Sequence, residues 1–171
     1  MCSSTRRLGT HDHADLRALR LRALAGEPSA FGSTVEREDA FTEDTWRDRL
    51  RADANAHFGG FDHAGALVGL AVGLPDAADA SVAHLVGMWV DPVARGGGLA
   101  GELAELVLGW AAGRGCRVVR LHVTDGNTRA EALYARLGFM RTGQATVRER
   151  DGLAEIEMAV TVGLSEKPPI R

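Results

Sequence analysis

Apolar positions along the chain switch between two periods, and the switches lay out its elements. Leu16, Leu19, Ala23 and Leu24 recur at helical spacing, with Thr10 or Asp12 as the capping residue ahead of them and Gly26-Glu27-Pro28 as the stop. Residues 6–9 precede this helix as a short strand. A weakly patterned acidic stretch, 29–39, leads to a second helix that Thr42 caps and that carries Trp46 and Leu50 on one side. From His57 the period drops to two. Residues 57–61 and 66–74 read as strands joined by the hairpin turn Asp62-His63-Ala64-Gly65, residues 75–80 as a surface loop and 82–90 as a third strand. Leu99, Leu103, Leu106, Val107 and Trp110 restore helical spacing over 98–113, and 118–123 is a near-continuous apolar strand. Residues 127–136 form a helix closed by Gly138, and 139–149 and 153–162 a hairpin across Arg150-Asp151-Gly152. This order predicts an α/β fold, a mixed sheet flanked by helices, in a single domain over 1–164 with a loose tail at 165–171.

The stretch 85–101 organises the rest, because a buried strand there runs into a helix through Gly96, Gly97 and Gly98. Glycines let the backbone turn without a Cβ penalty, and the unpaired amides of a helix N-terminus attract phosphate. Arg95 adds a fixed cation at the edge of this turn. The physics indicates a diphosphate binder. Gly96, Gly98 and Gly101 also satisfy the dinucleotide pattern G-x-G-x-x-G, with Asp125 as a ribose ligand. Against that reading, residues 91–95 separate strand from glycines, and too little chain follows for a doubly wound sheet.

Arg95-x-x-Gly98-x-Ala100, preceded by Val90-Asp91-Pro92, resembles the acyl-CoA loop of the GCN5-related N-acetyltransferases, the GNAT superfamily. A second match lies one strand downstream. The run from Asn127 through Ala130, Leu133, Tyr134 and Gly138 to Phe139 is similar to the family's N-x-x-A-x-x-L-Y-x-x-x-G-F signature. The resemblance implies acetyl-CoA as cofactor, held by Met88, Trp89, Val90, Arg95, Gly96, Gly97, Gly98, Leu99, Ala100, Asn127, Ala130 and Tyr134. It also implies that the strands 82–90 and 118–123 diverge around that cofactor.

Composition narrows the setting. A net charge of −3 gives no footprint for nucleic acid, and no apolar run is long enough to span a bilayer. Cys2 and Cys116 lack metal-ligand spacing and fit reduced thiols in a cytoplasmic protein, and no metal is called for. His11 and His13 are spaced for a metal on a strand but fall at a helix start, which favours capping or solvation.

Acetyl transfer to an amine needs a neutral nitrogen, a polarised carbonyl and a protonated leaving thiol. Deprotonating a lysine-like amine at pH 7 costs about 4.6 kcal/mol, so a base is required. Tyr134, the chain's only tyrosine, falls on the family's acid position, and packing beside Leu133 and Leu137 is its structural alternative. Some family members carry Glu or His eleven residues ahead of the loop's first Gln or Arg, which here is His84. His122, or Glu36 and Glu38 through water, are further candidates for the base. Phe31 and Glu36 are expected near the acceptor, and Glu27, Glu36, Glu38 and Asp39 hint at a cationic amine. The expected function is direct acetyl transfer to a small-molecule primary amine. A protein or peptide acceptor, or a non-catalytic acyl-CoA sensor, are the alternatives, and a homodimer is compatible with the family.

Overall fold

The computed structural model describes residues 4–51 and 53–163. Seven strands, β1 (Ser4–Arg7), β2 (Ala56–Phe61), β3 (Leu67–Pro75), β4 (Val82–Val90), β5 (Val118–Thr124), β6 (Met140–Val147) and β7 (Ala154–Thr161), make one sheet in the order 1-2-3-4-5-7-6. Among the described residues β4–β5 is the one parallel pair, which excludes the doubly wound reading. The helices are α1 (His13–Gly26), α2 (Val35–Asp39), α3 (Glu43–Arg51), α4 (Leu99–Gly113) and α5 (Thr128–Arg136). None of the described helices is long and apolar enough to cross a membrane. The expected tail, 165–171, lies outside the described residues.

Two apolar clusters sandwich the sheet. On one face Leu99, Leu103 and Val107 of α4 and Tyr134 of α5 pack with Leu85, Val119, Leu121, Val123, Ile156 and Met158. On the other, Leu16, Leu19 and Trp46 of α1 and α3 pack with Leu70, Val72 and Trp89. Small residues set how closely α4 approaches. A Cβ at Gly60 or Gly69 would overlap Leu99, and one at Gly73 would come within 2.5 Å of the Trp110 ring. Helix α4 therefore rests on bare main chain, and its first turn has a fixed position over the sheet.

Two local expectations need correction. Asp12 makes no capping bond; its buried carboxylate accepts two bonds from Arg6 at 2.8 Å and one from the Gly9 amide. The weakly patterned stretch contains α2, started by Thr34, whose hydroxyl accepts from the Arg37 amide at 3.2 Å. Apolar periodicity misses this helix because its one buried residue is Glu38.

The register of β4 carries the feature that shapes the site. Val72 faces Val86 and Leu70 faces Trp89, so Gly87 and Met88 together oppose Ala71 alone. This is a β-bulge, and Gly87 takes the left-handed φ of +63° that it requires. The extra residue resets the pleat: Leu85, Met88 and Val90 join the α4 layer, while Trp89 turns to the α1 layer. Strand β4 pairs with β5 over three positions only, Val82–Val118, Ala83–Val119 and His84–Arg120. Beyond them the two strands part.

Candidate active site

The gap between the parted strands opens into a cavity of about 960 Å³. Its walls are β4 from Leu85 to Val90, His122, Val123 and Thr124 of β5, the first turn of α4, one face of α5 and, on the outer side, residues 26–31. Because β3 pairs with β4 along one edge only, alternate main-chain groups of β4 face this gap without a strand partner.

At one end lies the glycine turn. The Asp91 carboxylate accepts from the Val93 amide and starts a single 3-10 turn, Pro92–Ala94. Gly98 then caps α4 with φ +89°, and its carbonyl accepts from the Glu102 amide at 3.1 Å. A Cβ at Gly96 or Gly98 would meet nothing within 4 Å, so the space over the turn is open and only the backbone conformation demands glycine. Of the cofactor residues named from the sequence, all but Gly97 line the cavity.

Arg95 stands there in a different role from the one expected. Its Nε donates to the Val90 carbonyl at 2.8 Å and its guanidinium pairs with Glu27, so it ties the turn to the end of α1 instead of offering a free charge. Arg129 and Arg136 supply exposed cations in the wall. They are seven residues apart, two turns along one face of α5, a spacing that was legible in the sequence.

Tyr134 is buried in the cavity wall, edge-to-face with Phe139 at 5.6 Å. Burial pushes its phenol above the ordinary value, which keeps the hydroxyl protonated. Asn127 caps α5, its Oδ1 accepting from the Ala130 amide at 3.2 Å. Trp89 adds a buried indole N–H with no partner, an unused donor on a residue that lines the cavity.

The expected base does not line the cavity. His84 lies on the paired half of β4, where its Nε2 bonds Asp76 at 2.7 Å, and that bond draws the Asp76 carboxyl down to about 2. His122, past the point of divergence, does line it. Phe31 lines the outer wall, with the Arg20 guanidinium 4.6 Å over its ring, whereas Glu36 is exposed and away from the cavity.

The acidic residues that hinted at a cationic acceptor are mostly occupied. Glu27 pairs with Arg95, Asp39 with Arg17, and Glu38 is buried between Arg20 at 2.9 Å and Arg49 at 3.2 Å. Burial alone would raise the Glu38 carboxyl; hydrogen bonds and charge from Arg20, aided by Ser33 and Arg49, bring it below its ordinary value.

A sheet whose central parallel pair splays over an amide-rich helix start matches known proteins. Residues 19–139 match the profile of the acetyltransferase (GNAT) family. The chain belongs to that family. Mycothiol acetyltransferase of Salinispora arenicola is 36% identical over 140 residues, which cover 79% of this chain and 43% of that protein. The chain thus spans less than half the length of the curated relatives it matches. The fold is that of a GNAT acetyltransferase from Streptococcus pneumoniae, at 20% identity and a TM-score of 0.79 over 94% of this chain and 99% of that one. Spermidine N-acetyltransferase from Vibrio cholerae, solved with CoA and spermine, gives 18% identity and a TM-score of 0.74 over 93% and 95%.

Acetyl-CoA is the cofactor of GNAT acetyltransferases, and the residues here suit it. Unpartnered amides at the start of α4, open space above the positive-φ glycines, and a cavity that continues from them to Tyr134 match a long ligand with a diphosphate at one end.

Proposed function

We propose that the chain moves the acetyl group of acetyl-CoA directly to the primary amine of a small molecule. The observation that carries this is the continuity of one cavity from the glycine turn, through the β4–β5 gap, to Tyr134. When bound, acetyl-CoA supplies an activated thioester. The amides of Gly96, Gly98, Leu99 and Ala100 would hold its diphosphate, with Arg129 and Arg136 as cations beside them. The unpaired edge of β4 around the Gly87 bulge offers main-chain groups to the arm and to the carbonyl, where an N–H donor is worth about 3 to 4 kcal/mol in comparable sites. Tyr134, protonated throughout the physiological range, holds the proton for the leaving sulfur.

The outer wall supports a small acceptor. Arg148 donates to the Ser29 carbonyl at 2.6 Å, and Arg150 to the carbonyls of Pro28 and Ser33 at 2.7 and 3.0 Å. The tip of the β6–β7 hairpin therefore clasps residues 28–33, and Phe31 lies in the wall so held. The curated relatives named for mycothiol agree with a small-molecule acceptor.

The test is release of free thiol from acetyl-CoA in the presence of a panel of small primary amines, with CoA affinity measured by calorimetry. Amine-dependent thiol release is expected, and Tyr134→Phe should lower kcat about 100-fold while leaving the KM for acetyl-CoA within about twofold. Tight CoA binding with no turnover on any amine of the panel would overturn the small-molecule reading in favour of a peptide acceptor or a non-catalytic sensor.

A further inference from the structure

We infer that His122, oriented by Glu157, takes the proton that the acceptor amine must lose. This rests on the transferase reading and names the group that reading leaves open. The alternation of β5 decides on which face each residue lies. Val119, Leu121 and Val123 are buried in the α4–α5 layer together with Tyr134, so His122 projects from the opposite face at the same opening. Acid and base thus stand on the two sides of the gap, one toward the leaving sulfur and the other toward the arriving nitrogen.

Glu157 sits directly across the β5–β7 ladder from His122. Its Oε2 is 3.9 Å from His122 Nε2, and the two side chains are 14% and 36% exposed, so the carboxylate is sheltered while the imidazole stays accessible. The imidazole Nε2 faces that carboxylate, and Nδ1 remains for the substrate. The remaining charged groups on this face are occupied or distant along the strand. Glu155 of β7 is bonded by Arg148 at 3.2 Å, His84 of β4 by Asp76, and Glu27 from the outer wall by Arg95. Arg120 lies two residues back on β5, at the position still paired with β4.

The step balances. An N–H bond of the ammonium breaks as an N–H bond forms on His122, and the freed lone pair makes the C–N bond to the acetyl carbon while the C–S bond breaks. The sulfur takes the Tyr134 proton. The nitrogen gives up a second proton as the adduct becomes the neutral amide, and that proton restores Tyr134; water accepts the first from His122, so each ammonium acetylated releases one proton to solvent.

The experiment has two arms. In the first, thiol release is followed with acetyl-CoA and spermidine, tyramine or glucosamine from about pH 6.5 to about pH 10, a range that approaches the free-base form of a primary amine. His122→Gln should lower kcat/KM about 100-fold near neutrality, with the deficit shrinking about tenfold per pH unit as the amine loses its proton unaided, and with CoA affinity unchanged. A deficit of equal size at every pH, no deficit, or the same pH-dependent deficit in His84→Ala would overturn the assignment. In the second arm, Glu157→Gln and the double variant with His122→Gln are carried through the same pH series. Glu157→Gln should lower kcat/KM about tenfold near neutrality, with a deficit that shrinks toward about pH 10 as in His122→Gln and no further loss when the two are combined; a deficit of equal size at every pH, or none, refutes the pair. A wild-type protein that binds CoA but releases no thiol with any of the three amines would defeat the transferase reading, whereas wild-type turnover with no pH-dependent deficit in His122→Gln would defeat the base assignment alone.

Discussion

The two walls of the cavity are held by different physics. The inner wall, α4 with the glycine turn and α5, is fixed by main-chain geometry and apolar contact: Leu99 seated on Gly60 and Gly69, Leu103 and Val107 in the core, Tyr134 against Phe139. The outer wall, residues 26–39 with the β6–β7 tip, is held largely by guanidinium groups. Arg20 and Arg49 close on Glu38, Arg95 on Glu27, and Arg148 and Arg150 on backbone carbonyls, with Asp151 at 2.7 Å from both of the last two. Arg148 in the first place holds the Asp151 carboxyl well below the carboxylate range. Contacts of the first kind respond little to salt or pH; contacts of the second kind respond to both. The lesson is that the wall at the glycine turn is set by packing and the wall facing it by charge, so the two can be perturbed separately.

Four perturbations break or sharpen this contrast, the largest first. Glu38→Ala removes the buried partner of two part-buried guanidinia and should destabilise the protein by about 3 kcal/mol, read from urea unfolding. A loss below about 1 kcal/mol would show that the triad is not what holds the outer wall.

Acid tests the same layer. His57 is held neutral chiefly by burial, then by the charges of Arg49, Arg7 and Arg20, which bring its pKa from 6.5 down to about 4. The unfolded chain takes up this proton below about 6.5 and the folded one does not. Stability is therefore full above that pH and falls by up to about 3 kcal/mol as pH drops toward 4. His57→Gln should flatten that slope in unfolding curves taken across the same range.

On the inner wall, Gly98→Val forces a branched side chain to φ +89° and should weaken CoA binding about 100-fold by calorimetry, near 2.7 kcal/mol. Salt should barely change that deficit. The smallest effect belongs to the clasp. Arg150→Ala removes two donors to the outer wall and should raise the acceptor KM about fivefold, near 1 kcal/mol, with CoA affinity within about twofold. Raised ionic strength should move the wild-type KM in the same direction.

What the sequence disclosed divides along the same line. The inner wall follows from local rules: glycines after a strand, an Asn cap, a period of 3.6 around Leu99 and Leu103. The element order and mixed sheet were legible for that reason, and so was the lining role of Met88, Ala100, Asn127 and Tyr134. The outer wall depends on pairs far apart in the chain, Arg20 with Glu38 and Arg150 with Pro28, which leave no periodic trace. Glu27 and Glu38 read as available acids because nothing local shows their partners. His84 and His122 look equivalent on two neighbouring strands; only the point at which β4 and β5 stop pairing separates them. Gly87 did carry a signal, since a glycine inside a strand pattern marks a bulge.

The central claim is that the glycine turn receives the diphosphate and the β4–β5 gap receives the acyl arm. A crystal structure with acetyl-CoA tests it most directly. The account expects the diphosphate on the amides of Gly96 to Ala100, the arm along the unpaired edge of β4, and the acetyl carbon between Tyr134 on one face and His122 on the other. Density for the cofactor outside the gap, or a diphosphate held only by side chains away from the turn, would contradict it.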